Sequence, residues 1–373
     1  MIDLAPHSEL FRPVQLGALT LPNRILMAPL TRNRAQDDGT PRDIAAAYYR
    51  QRASAGLIFT EATQISAMGV GYINTPGLYT AKHVAGWRKV TDAVHEAGGR
   101  IFLQLWHVGR ISHSSLLPDN QAPIAPSAIP ARAQTFTHEG FVDCSAPRAL
   151  ETDEIAGLIY EYRVAAERAL EAGFDGVEVD AGNGYLLDQF LHENANQRRD
   201  QYGGSPENRA RFPLEVVNAV VNVVGADRVG VRLSPTDTFA DMDPTGVEPA
   251  FEAVIDGLNP MGLAYLHIVE KFPGSEVSDE DVAMLLRLRA RWAGRYIANG
   301  DYDAARAAKA IKEGRVDAVA FGRPFLANPD LPERYRKGAG LNEPDPSTFY
   351  GGDERGYTDY PFLTEQPRLR VVG

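Results

Sequence analysis

One cysteine, Cys144, is all that this chain of 373 residues contains. That excludes an internal disulfide, and it excludes a cysteine-ligated iron–sulfur cluster or zinc site within one chain. Cys144 itself reads as inert. The eight histidines show neither HxxxH nor HExxH spacing, so no metal site is expected. No apolar run approaches the roughly 18 to 20 residues of a membrane span. The N-terminal stretch "MIDLAPHSELFRP" lacks the basic start and apolar core of a secretory signal, and the expected location is the cytoplasm. Positive charge is in deficit as well: a formal net charge of -11 speaks against nucleic acid or an anionic membrane as the main partner. No GxGxxG follows a strand-like run, so no separate dinucleotide-binding unit is expected.

What the chain does have is enough apolar material, 44% of its residues, to bury a large core. The apolar runs "NRILMAPL", "GLIFTEA", "RIFLQLWH", "GVEVDA", "RVGVRLSP", "LAYLHIVE", "RYIANG" and "VDAVAFGR" each end on a polar residue or glycine and read as strands. Amphipathic segments lie between them. In "ETDEIAGLIYEYRVAAERALEAGF" the residues Ile155, Leu158, Ile159, Tyr162, Ala166 and Ala169 recur at helical spacing, with Thr152 as the expected N-cap and Gly173 as the stop. "SPENRARFPLEVVNAVVNVVG" repeats the pattern with Ser205 as N-cap, Pro206 in the first turn and Gly225 as the stop, while Pro213 predicts a kink or break.

Eight such alternations predict an α/β fold of the (β/α)8 barrel type, one domain over residues 1–373; a doubly wound sheet is the rival. The proline-rich excursion 114–150 is too long for a plain connection. Its "TFTHEGFVDC" predicts a hairpin folded over one end of the barrel.

In a barrel of this kind the chemistry sits at the C-terminal rim of the strands, with a phosphate commonly bound after strands seven and eight. The residues that the strand ends deliver there are Thr31, Ala62, Gln104, Asp180, Arg232, Gly300, and Gly322 with Arg323. Gly300, Gly322 and Arg323 are the residue types a phosphate needs, glycines for close backbone approach and a guanidinium for charge. Arg232 in mid-barrel needs an electron-rich ligand atom or a carboxylate, and Gln104 offers both donor and acceptor to a heterocycle edge. Each has a plainer reading: turn glycines, a structural ion pair, a satisfied core amide, and ordinary packing for Trp106, His107 and Tyr185. Joint placement at the strand ends is what favours a site.

The strings "MAPLTRNRA", "QLWHVGRISH", "NQRRDQYGGSPENRARF", "FGRPFLANPDL" and "FYGGDERGYTDYP" closely resemble the old yellow enzyme family, in particular its single-domain bacterial branch of enone, maleimide and nitrate-ester reductases. The resemblance runs almost end to end. It implies a barrel holding FMN, reduced by NADPH or NADH and reoxidised by an activated alkene or nitro compound at the same flavin face, in a monomer or homodimer. By motif, Pro29, Leu30, Thr31, Ala62 and Gln104 correspond to flavin-ring contacts, Arg232 to the residue near the flavin N1, and Gly300, Gly322 and Arg323 to the phosphate site. Tyr72, Trp106 and Tyr350 correspond to substrate-pocket side chains.

One stretch departs from that resemblance. The family carries His-x-x-His/Asn-x-Tyr after strand four, where the first two residues donate hydrogen bonds to the substrate oxygen and the tyrosine protonates the α-carbon. This chain has Asp180, Asn183 and Tyr185 in "VEVDAGNGYLLDQF". An ionised carboxylate only accepts hydrogen bonds and repels a developing oxyanion. Asp180 can therefore be a protonated donor, a general base for a non-reductive isomerisation or elimination, or a loop cap bound to N–H groups of residues 181–184. The first reading gives an NAD(P)H-linked reductase of activated C=C bonds. The second gives a proton-transfer catalyst in a flavin pocket.

Overall fold

A computed structural model of the protein describes residues 7–271 and 274–365; the first six residues of the N-terminal stretch quoted above lie outside them. All eight expected strands form, as Ile25–Met27, Ile58–Phe59, Ile101–Trp106, Gly176–Ala181, Val229–Leu233, Tyr265–Val269, Tyr296–Asn299 and Ala318–Phe321. Every neighbouring pair is parallel, and the eighth returns to the first through Val319–Ile25, Ala320–Leu26 and Phe321–Met27. A sheet that closes on itself has no free edge, which removes the doubly wound alternative. Thr63–Gln64 adds a short ninth strand beside the third.

Strand alternation assigns each side chain to one of two layers. Val177, Val179 and Ala181 of the fourth strand join the core under the helices, and Glu178 and Asp180 between them take the opposite, inner face. Lower in the barrel the interior is apolar, with Leu26, Phe59, Phe102, Tyr265 and Ile297 in one cluster that includes Val14, Leu16 and Leu21. Those last three come from an antiparallel hairpin, Val14–Leu16 with Leu19–Leu21, that plugs the N-terminal end of the barrel. Gly230 is required where it stands, since a Cβ there would lie 2.0 Å from Cζ of Tyr265.

The helices follow the expected order, with two corrections. Helix Glu154–Glu171 is not capped by Thr152, whose hydroxyl donates to Asp200 Oδ2 at 2.6 Å; the Glu154 carboxylate instead accepts from the Glu151 N–H at 2.8 Å. Helix Pro206–Val224 is capped by Ser205 as expected but runs unbroken through Pro213, which is buried against the core and held by packing. The excursion 114–150 contains the expected hairpin, Gln134–Thr137 with Gly140–Asp143. It docks on the loop bearing Tyr72, through the Thr135 hydroxyl to the Gly71 carbonyl and the Ile73 N–H to the Phe136 carbonyl at 3.0 Å. Cys144 beside it is buried, and burial pushes its thiol up to about 11. Among the described residues, no helix is long and apolar enough to cross a membrane.

Candidate active site

The turn after the fourth strand is built to hold Asn183 and Tyr185 still. Asn183 takes a left-handed φ of 54°, which asparagine tolerates better than most residues, and Gly184 follows at 71°. The Asn183 N–H donates to Ser234 Oγ at 2.6 Å, the Gly184 N–H to Asp188 Oδ2 at 2.8 Å, and the Tyr185 N–H to the Gly182 carbonyl at 3.3 Å. Asp188 is itself fixed by His192, whose Nε2 lies 3.2 Å from Oδ1 while Nδ1 meets the Asp243 carbonyl at 2.9 Å. Burial works against protonation of His192, but Asp188 prevails and raises its pKa. The loop-cap reading of Asp180 narrows as a result, because the N–H groups of Asn183 and Gly184 are already taken and that of Gly182 draws on its carboxylate.

Asp180 is 3% exposed, and its Oδ1 has no hydrogen-bond partner among the described residues. Arg232, aligned with it on the fifth strand, brings Nη1 to 3.8 Å of that oxygen. Burial pushes the Asp180 pKa up to about 7; the Arg232 charge opposes the shift, and Glu178 and Asp188 add to it. Arg232 spends its donors elsewhere, Nη1 on the Asn183 side-chain carbonyl in a close contact and Nη2 on Asn299 Oδ1 at 3.2 Å. Its Nε is buried without a partner among the described residues. Asn183 in turn donates from Nδ2 to Asp237 Oδ2 at 2.7 Å, and burial holds the pKa of Asp237 above the ordinary carboxylate value.

An aromatic wall stands over this cluster. The Tyr185 and Tyr72 hydroxyls are 3.4 Å apart; Trp106 stacks on Tyr72 with ring centroids 6.0 Å apart and meets Tyr185 edge-on at 5.0 Å. Burial, then the neighbouring Tyr72, keeps the Tyr185 pKa well above that of a free phenol, and burial pushes Tyr72 up to about 12. Tyr350 stands apart at 62% exposure, although its field still reaches both phenols. His107, next to Trp106, is buried, and burial pushes its pKa down to about 3.

On the rest of the rim, Pro29, Leu30 and Thr31 are half-buried after the first strand and Ala62 is buried after the second. Gln104 is buried, with Nε2 donating to Glu178 Oε1 at 2.9 Å. Gly300 has φ 142°, and a Cβ there would lie 2.7 Å from the Lys271 nitrogen, so the position requires glycine. A Cβ on Gly322 would touch only Leu30 Cδ2, at 3.4 Å, which sets the eighth-strand end against the first. Arg323 is exposed and makes no ion pair or hydrogen bond among the described residues. Bare backbone, an unengaged guanidinium, an unpartnered Nε on buried Arg232 and the amide of Gln104 are a polar set that fits FMN.

Asp180, Asn183, Tyr185, Arg232, Tyr72 and Trp106 therefore form one connected cluster, whereas Gly300, Gly322 and Arg323 occupy a separate arc and Tyr350 the outer edge. The sequence reading missed Glu178, Ser234, Asp237, Asp188, His192 and Asn299. Glu178 had a signal, since strand alternation puts it on the same face as Asp180. Asp237 and Asp188 lie in loop and helix and had none.

The family described as NADH:flavin oxidoreductase / NADH oxidase matches residues 9–342. The 12-oxophytodienoate reductase 1 of Oryza sativa subsp. japonica is 46% identical over 368 residues, covering 98% of this chain and 96% of that protein. Among solved structures, morphinone reductase is 52% identical with a TM-score of 0.91, covering 98% of this chain and 99% of that one. An old yellow enzyme homologue from Zymomonas mobilis is 41% identical with a TM-score of 0.91, covering 95% and 99%. Another structure of morphinone reductase holds tetrahydroNAD and superposes with a TM-score of 0.89 at 52% identity, covering 96% and 99%. With likeness of this degree over nearly its whole length, the chain belongs to the NADH:flavin oxidoreductase / NADH oxidase family, the old yellow enzymes, and is an FMN-dependent oxidoreductase supplied by NAD(P)H.

Proposed function

We propose that the protein reduces activated C=C bonds of enones, maleimides and related nitro compounds, with the neutral carboxyl of Asp180 donating a hydrogen bond in place of the family's histidine. When bound, FMN supplies the hydride at its N5 position. Pro29, Leu30, Thr31, Ala62, Gln104 and Arg232 hold the flavin ring; Gly300, Gly322 and Arg323 hold its phosphate. Tyr72, Trp106 and Tyr350 line the space in which reductant and oxidant take turns.

The observation that carries this reading is the environment of Asp180. Burial next to two further carboxylates holds a proton on it up to about pH 7, where it can donate to a substrate oxygen. Asn183 keeps one amide hydrogen beyond the one given to Asp237 and offers it to the same oxygen. Tyr185 retains its proton throughout the neutral range and delivers it to the α-carbon.

A second reading has support from the same observation. A carboxyl with a pKa of about 7 is half ionised at neutral pH and well matched to general-base work, so Asp180 can catalyse proton transfer without net redox change. Anaerobic mixing of reduced enzyme with 2-cyclohexenone at about pH 6 and about pH 9 separates them. The donor reading expects fast flavin reoxidation at the lower pH that slows above neutrality. Substrate isomerisation that rises with pH, without reoxidation, would replace it with the base reading.

A further inference from the structure

Below the proposed ring contacts lies a group whose charge helps hold the Asp180 proton but whose own contacts have no part in the reading so far. Glu178 is fully buried inside the barrel, one inward position below Asp180. Its Oε1 accepts from Gln104 Nε2 at 2.9 Å, and its Oε2 lies 2.9 Å from His267 Nδ1. With the His267 proton on Nδ1, both oxygens accept, as those of a carboxylate do. His267 is also fully buried, its Nε2 has no partner among the described residues, and burial outweighs Glu178 in keeping its pKa below the ordinary value. A neutral imidazole with its proton on Nδ1 satisfies both facts.

The consequence falls on Gln104. A free glutamine amide can turn over and present either its NH2 or its carbonyl to a ligand. An ionised carboxylate cannot donate, so Gln104 must give its NH2 to Glu178, and its carbonyl oxygen is the atom left for anything bound above. Arg232, aligned with His267 on the adjoining strand, can only donate. The site therefore offers an acceptor on the third strand and a donor on the fifth, on either side of the fourth, a set that complements a ring edge carrying both N–H and carbonyl.

We propose that Glu178 is a positioning residue that fixes Gln104 with its carbonyl toward the flavin, so that the N3–H edge of FMN is selected over a ring lacking that hydrogen. The inference rests on the reading of Gln104 as a ring contact, and its test distinguishes the two. FMN release from the holoenzyme, followed by flavin fluorescence on dilution, and competition between FMN and N3-methyl-FMN are the measurements. Glu178→Gln, which lets the amide of Gln104 turn over, should loosen FMN by about tenfold and erase most of the preference over the N3-methyl compound. Added to Gln104→Ala, it should cost nothing more, because its target is gone. The exchange Gln104→Glu with Glu178→Gln restores an acceptor facing the ring and should recover the preference, which keeps the test available if Glu178→Gln alone does not fold. Independent losses in the double variant, an unchanged preference in Glu178→Gln, or a preference that stays erased in the exchange would overturn the role of Glu178 alone. FMN held normally by Gln104→Ala would overturn the ring contact, and the role of Glu178 with it.

Discussion

The two arcs of the barrel rim differ in how much of them is already engaged. After the fourth strand nearly every polar group has a protein partner: Asn183 is held by Ser234, Asp237 and Arg232, and Gly184 by an Asp188 that His192 secures. After the seventh and eighth strands less is engaged: Gly300 is tied through its carbonyl to Arg306 at 3.0 Å, while Arg323 is exposed and unpaired among the described residues. The first arc is rigid before anything binds and suits transition-state work, where a donor displaced by about 1 Å costs about 10²-fold. The second, on the proposed reading, would be completed by its ligand and suits retention of a cofactor. Substitutions on the first arc should change rates and pH profiles, and those on the second should change how firmly FMN stays.

The largest test of that division is Tyr185→Phe. It should slow reoxidation of the reduced enzyme by enones about 10² to 10⁴-fold while leaving reduction by the nicotinamide nearly unchanged, as read by stopped-flow of each half-reaction. Equal losses in both would make Tyr185 structural and blur the comparison. Asp180→His comes next. Above about pH 8, where the parent carboxyl is ionised, it should raise enone reduction about 10²-fold, the value of one restored donor, with a smaller gain below about pH 6. A gain that does not vary with pH would rule out the protonated-donor reading.

Asp180→Asn tests the same carboxyl through stability. Because its pKa is raised on folding, from the ordinary 3.8 to about 7, the folded state binds this proton more tightly than the unfolded chain. The linked stability is full below pH 3.8 and is lost as pH rises to about 7. The shift sets a ceiling of about 4 kcal/mol, and relaxation around the charge leaves roughly 2 kcal/mol expected as the advantage of Asp180→Asn near pH 8 over pH 4 in urea unfolding. Glu61, also pushed up to about 7 by burial, leaves a residual slope of the same sign. The smallest effect belongs to the open arc: Arg323→Ala should raise FMN release about tenfold with no change in turnover of the FMN-loaded fraction. Flavin lost on denaturation should be FMN and not FAD.

The barrel was legible because each strand is a short apolar run with its own stop, and closure follows once eight are found. Asp180 drew notice in the sequence as one residue that departs from the pattern the chain resembles. What that aspartate meets was not. Its pKa depends on Glu178 two residues away, on Asp188 from the next helix and on Arg232 from the next strand, and such sums over distant segments exist only after folding. The same limit hid Asp237, which reaches Asn183 across the top of two strands. Tyr350 is a different case: its motif is intact, and the structure leaves it mostly in solvent at the outer edge.

The pairing of Phe321 with Met27 joins opposite ends of the chain, so the cylinder cannot shut until almost all of it has been synthesised. Gly322 lies against Leu30 at that same seam. A cofactor whose phosphate sits at Gly322 and whose ring rests on Leu30 would then act as a clasp across the last joint to form. Holoenzyme and apoprotein should part company most strongly in how fast that joint reopens, so that hydrogen exchange along the first and eighth strands, more than anywhere else in the barrel, should track FMN concentration.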